Sequence, residues 1–123
     1  MAGLVPNAGE EIALDRFLKT SDETLKLYVN DYTPVEGSVA GDFTEMSTQG
    51  YAAKTLTAAS WSSGAYAQQT WTFDGTGGSP IVYGYFVIDA GTGVIMFAER
   101  FGTPPTIVNN GDQIKVTPTV TGD

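Results

Sequence analysis

From Thr24 onward the apolar residues recur at every second position, and this alternation restricts the chain to short, half-buried β-strands. Leu25, Leu27 and Val29 alternate with Lys26, Tyr28 and Asn30. Over 50–58, Tyr51, Ala53, Thr55 and Thr57 share one face and Ala52, Lys54, Leu56 and Ala58 the other. Over 65–73, Ala67, Gln69, Trp71 and Phe73 alternate with Tyr66, Gln68, Thr70 and Thr72. Residues 81–88 are nearly continuously apolar, the pattern of a central strand covered on both faces. Gly84 inside that run marks a bulge or a close backbone approach. The turn Asp89-Ala90-Gly91-Thr92-Gly93 returns the chain into 94–101 as a hairpin partner. Finally, Ile114, Val116, Pro118 and Val120 alternate with Lys115, Thr117 and Thr119, and Pro118 makes this strand an edge or an end.

A different period precedes the strands. Ile12, Phe17 and Leu18, with Ala13 and Leu14 beside them, give a helical stripe over 8–19. Asn7 stands as its cap, Glu10 in a capping-box position, and Thr20, Ser21 and Asp22 end it. The adjacent acids Glu10-Glu11 and Asp22-Glu23 then read as solvated groups at the helix ends. The stretch 31–49 is polar and turn-rich, with four acids, no base, and Phe43 as its anchor to the core. Fifteen Gly supply turns between short strands.

At 123 residues the chain fits one domain, 1–123, without repeats or a linker. The expected fold is mainly β: a β-sandwich or jelly-roll-like barrel of about seven to eight strands with one short N-terminal helix.

Composition excludes much chemistry. There is no Cys and no His, which removes thiolate sites, the Ser-His triad and the commonest metal ligand. The formal net charge of -8 disfavours nucleic acid and anionic membrane surfaces. No run approaches ~20 apolar residues, and residues 1–9 lack the basic start and apolar core of an export leader. The loop Asp74-Gly75-Thr76-Gly77-Gly78 has no phosphate-binding lysine and reads as a connector turn. Weak Ca²⁺ binding at a carboxylate-rich rim stays open. No catalytic residue, resident metal or cofactor is expected, and the chain reads as no enzyme.

Partner binding remains. Most aromatics of the strand region serve the core, while Tyr66, Tyr83 and Tyr85 alternate with core positions and are expected to face outward or toward another subunit. The apolar Leu4, Val5 and Pro6 fall in an adhesive arm, 1–9, that orders on a partner surface. Val120 lies in a C-terminal edge strand available to a neighbouring sheet. Exposed rings would also suit a carbohydrate-binding module.

The order of segments carries a resemblance across nearly the whole chain. Gly3-Leu-Val-Pro-Asn7 is followed by the helix, then Leu25-Lys-Leu-Tyr-Val-Asn-Asp-Tyr-Thr-Pro34, Gly50-Tyr-Ala-Ala-Lys-Thr-Leu56 and Ser60-Trp61. Gln69-Thr-Trp-Thr-Phe73, Val82-Tyr-Gly-Tyr-Phe-Val-Ile-Asp89, Phe97-Ala-Glu-Arg-Phe101 and Gly111-Asp-Gln-Ile-Lys-Val-Thr-Pro118 complete the set. This resembles small tailed-phage virion proteins of the capsid decoration, or cement, type. The resemblance implies a protein made in the host cytoplasm that binds the outside of an assembled shell. Its implied partner is the major capsid protein, its implied state a homotrimer, and it brings no catalytic residues. A tail or fibre component contacting the host surface is the alternative.

Overall fold

The computed structural model describes residues 18–62 and 64–120. Six strands stand among them: β1 (Glu23–Tyr28), β2 (Lys54–Leu56), β3 (Gln69–Asp74), β4 (Gly84–Asp89), β5 (Ile95–Arg100) and β6 (Asn110–Val116). They form a four-stranded sheet in the order β2-β1-β4-β5 and a two-stranded sheet of β3 and β6. Every pairing is antiparallel. The mainly β expectation holds. Six strands stand in place of the expected seven to eight, since 106–108 contributes only an isolated Ile81–Thr106 bridge, and β3 and β6 are shortened because 65–68 and 117–120 form an isolated Ala65–Thr119 bridge and no ladder. Tyr66 N–H still reaches the Pro118 carbonyl at 2.9 Å, but Pro118 has no N–H to return a bond. The helix expected over 8–19 lies outside the described residues except for Leu18 and Lys19. The two helical elements of the described chain are single 3₁₀ turns, Ala40–Asp42 and Ala58–Ser60.

The main core draws on both sheets. Leu25 and Leu27 of β1, Leu56 of β2 and Tyr85 and Val87 of β4 pack with Trp71 and Phe73 of β3 and Ile114 and Val116 of β6. Each such aliphatic side chain stabilises the fold by roughly 1.5–3 kcal/mol when fully buried.

The other face of the larger sheet is also covered. Tyr28 of β1 and Phe86 of β4 bury against Phe43, which the 29–46 segment lays across them. Phe43 stacks on Phe86 with centroids 4.7 Å apart and meets Tyr28 edge-on at 4.9 Å. Main-chain bonds tie both ends of the segment down, from Val29 N–H to Thr44 O at 2.9 Å and from Met46 N–H to Leu27 O at 3.0 Å. The apolar run of β4 is thereby matched to burial on both sides, as its composition requires.

Gly84 is the close approach that its place in that run suggested. It sits between Tyr28 of β1 and Arg100 of β5 in the ladder. A Cβ there would lie 2.7 Å from the Tyr28 ring and would collide with the Glu99 carbonyl oxygen. One register shift, between Val87 and Ile88, breaks the alternation along β5, so that Ile95 and Ala98 share a face although three residues apart. Phe97 joins the main core while Ile95 and Ala98 pack toward Phe86.

Candidate partner-binding surface

The 30–46 segment is polar in sequence but rigid in structure, because its side chains close their own loops. Asn30 donates from Nδ2 to Asp42 O at 2.9 Å and accepts from Thr44 N–H at 2.8 Å. Ser38 Oγ accepts the Val35 N–H at 2.9 Å and lies 2.6 Å from the Tyr32 hydroxyl. Asp42 Oδ2 accepts the Val39 N–H at 2.9 Å. With Phe43 fixed beneath, these bonds hold Val35 and Val39 outward, 65% and 58% exposed.

The β4–β5 turn forms the facing wall. Asp89 Oδ2 accepts from Thr92 N–H at 2.9 Å and from its hydroxyl at 2.7 Å, and Gly93 N–H donates to Asp89 O at 2.8 Å. These bonds hold the Asp89 carboxyl below the usual carboxylate range, the Thr92 hydroxyl first and then Ser21. Val94 emerges from the turn 59% exposed. Between the walls runs an apolar cleft of about 510 Å³, lined by Val39, Ala40 and Gly41 on one side and Gly93, Val94 and Ile95 on the other.

The charges on this part of the described chain are mostly acidic or already paired. Arg100 is engaged by Asp31 at 2.7 Å and Lys26 by Glu45 at 3.2 Å. Glu36 and Asp42 are exposed and have no cationic partner among the described residues.

The residues singled out from sequence are placed otherwise. Tyr85 does not face outward: it is 3% exposed, in the main core, because β1 and β4 pair Leu27 with Tyr85 and turn both toward the second sheet. Burial first, and Glu99 beside it, push its phenol well above the usual tyrosine range. Val120 is 8% exposed and belongs to the same core, held by a 2.8 Å bond from its N–H to Gly64 O, so it is no open edge. Tyr66 is half-buried edge-on to Trp61 at 5.3 Å, and its hydroxyl accepts the Thr57 N–H at 3.0 Å. Tyr83 is half-buried beneath Arg100, whose guanidinium lies 5.1 Å from the ring centroid. Leu4, Val5 and Pro6 lie outside the described residues. The structure thus does not bring the described candidates, Tyr66, Tyr83, Tyr85 and Val120, into one open surface.

Glu23 also departs from its expected solvated role. It is fully buried, because it opens β1 rather than following a helix end into water. Its carboxylate accepts from Trp61 Nε1 at 3.2 Å and from the Ser21 hydroxyl at 3.2 Å. Burial raises its pKa, Ser21 and Trp61 oppose that, and the Asp89 and Asp22 charges add to it. With both its oxygens engaged, this carboxyl ties the start of β1 to Trp61 and Ser21. Asp74 behaves as a connector-turn residue, accepting from Thr76 N–H at 2.9 Å and hydroxyl at 2.6 Å. Among the described residues no three acidic side chains converge on a metal-sized site.

The surface that is assembled had one sequence signal. Val35 and Val39 are isolated β-branched residues inside an otherwise polar turn region, where no strand partner is available to bury them. Val94 was assigned to a strand and not to the turn it leaves. No family model, curated protein or solved structure matches the chain.

Proposed function

We propose that the protein is a structural virion component of the capsid-decoration type, a β-sandwich body that docks on the outer surface of an assembled shell. The observation that supports this reading best is the cleft between Val39 and Val94, an exposed apolar surface on two loops held by their own side-chain hydrogen bonds. A body that binds a preassembled lattice gains from such order, since little conformational entropy is lost on docking. The sandwich reading is supported by a core shared between the two sheets. The acidity of the chain suits a location outside the shell, away from packaged nucleic acid.

The partner is the major capsid protein and the assembled state a homotrimer. Purified protein incubated with undecorated capsids is expected to sediment with them and raise their heat resistance. Failure to do either would sink the proposal. Immunogold labelling of virions distinguishes the tail or fibre reading, which requires label at the tail. A carbohydrate-binding module needs an open ring to stack on a sugar face, whereas every Tyr and Trp ring here is more than half buried.

A further inference from the structure

We propose that the cleft between Val39 and Val94 is a docking face for a protein surface that presents an apolar ridge flanked by Lys and Arg; this rests on the assembly reading and names the chemistry of the partner.

Three observations converge on it. Val39 and Val94, which line the cleft, are 58% and 59% exposed, and Val35 of the same loop as Val39 is 65% exposed. Their exposure is imposed, because the backbone on each wall is fixed by side-chain bonds from Ser38, Asp42 and Asp89. The cleft between the walls therefore exists before any partner arrives. Its apolar lining selects an apolar insert.

Charge selects the flanks of that insert. No base lines the cleft, and Lys26 and Arg100 of the same sheet are matched by Glu45 and Asp31. Asp42, which follows the lining Gly41 and holds the Val39 N–H, is exposed with no cationic partner among the described residues, as is Glu36 beside Val35. A second copy of the chain, seated by the same face, would bring these acids against their own counterparts, and the formal charge of -8 per chain adds to the repulsion. A basic-flanked ridge instead gains from both terms, with its encounter rate falling as salt rises.

The test uses the full chain labelled with ¹⁵N and two short probe peptides that share a Leu-Ile core, one flanked by lysines and one by glutamates. The lysine-flanked peptide is expected to shift the amide resonances of 35–42 and 93–95, with affinity that falls as salt is added. Paired Val39→Asp and Val94→Asp substitutions should weaken it at least about tenfold, with the rest of the spectrum unchanged. No binding, equal binding of the glutamate-flanked peptide, perturbation at another surface, or indifference to the substitutions overturns the proposal. So does a concentration-dependent shift of the same resonances without peptide, which would make the occupant a second copy. Sedimentation with undecorated capsids separates the two levels of inference. Wild type and double variant sedimenting equally overturns this docking face and leaves the virion reading standing. Wild type that fails to sediment, while the peptides behave as expected, overturns the virion reading and supports the docking face.

Discussion

Glu23 and Asp89 stand directly opposite each other in the β1–β4 ladder, and both carboxylates reach the single hydroxyl of Ser21, at 3.2 and 2.9 Å. A hydroxyl has one proton to donate, so it cannot serve two carboxylates at once. The hydroxyl serves Asp89 at the shorter distance, and Glu23 is left with the lesser share and a like charge across the ladder. The opposite directions of the two pKa shifts agree with that division, Glu23 raised and Asp89 lowered.

Glu23→Gln removes the like charge while keeping an acceptor for the Trp61 indole. Urea unfolding at pH 7 should show a gain on the order of 1 kcal/mol, the size of one relieved cross-strand charge pair. A loss of stability in the variant at neutral pH would mean that the carboxylate is stabilising as it stands.

Stability should pass through a maximum in mildly acidic solution. Glu23 has its folded pKa above its ordinary value, so its contribution is full below that ordinary value and is lost as pH rises through the folded one. Asp74, Asp89 and Asp112 have lowered folded values, so their contributions are present above the ordinary carboxylate range and disappear as pH falls through the folded ones. Thermal unfolding across pH measures the sum, and Glu23→Gln should flatten only the neutral-side decline. A monotonic rise of stability from acid to pH 7 contradicts the assignment.

Trp61 should report the same titration optically, since its Nε1 donates to Glu23. In a Trp71→Phe background its fluorescence should change with an apparent pKa above the ordinary glutamate value. Adding Glu23→Gln should abolish that step. If the step persists, another group is responsible for it.

Gly84→Ala places a methyl group against the Glu99 carbonyl and the Tyr28 ring. Overpacking of this kind costs about 1–3 kcal/mol, and the backbone component puts the expectation at the upper end. Chemical denaturation measures it directly, and a neutral result would show that β4 and β5 can separate at this point.

Phe43→Ala should cost about 3–5 kcal/mol, the usual range for an aromatic removed from a core. The loss is local in origin, so amide exchange should accelerate first at Val29 and Met46, whose N–H groups tie the 29–46 segment to β1. Uniform acceleration across β3 and β6 would indicate that the segment and the sheets unfold as one unit.

The alternation of apolar residues made the mainly β class, the centres of most strands and the tight passage at Gly84 legible, but not the strand ends: 110–112 read as a turn and opens β6, and 50–58 is a strand only at Lys54–Leu56. β4 was also legible as doubly covered. Alternation states which residues share a face but not what lies over it. Tyr28, which alternates with Leu25 and Leu27 and so reads as solvent-facing, is fully buried because Phe43 is folded across it from fifteen residues away. Tyr85 fell on the wrong face because a continuous apolar run has no period from which to read its inward side.

The sequence by itself determined a mainly β chain with short strands, Gly-punctuated turns and no His or Cys chemistry. Tertiary structure alone decided that Glu23 meets Asp89, since that contact depends on the register of two strands separated by nearly half of the chain. It alone decided that Val39 and Val94 share a cleft, since each is exposed by loops whose folding is fixed elsewhere, by Asp42 and by Asp89. Local pattern sets which surfaces a strand offers; only long-range packing chooses which of them are closed and which are left open to a partner.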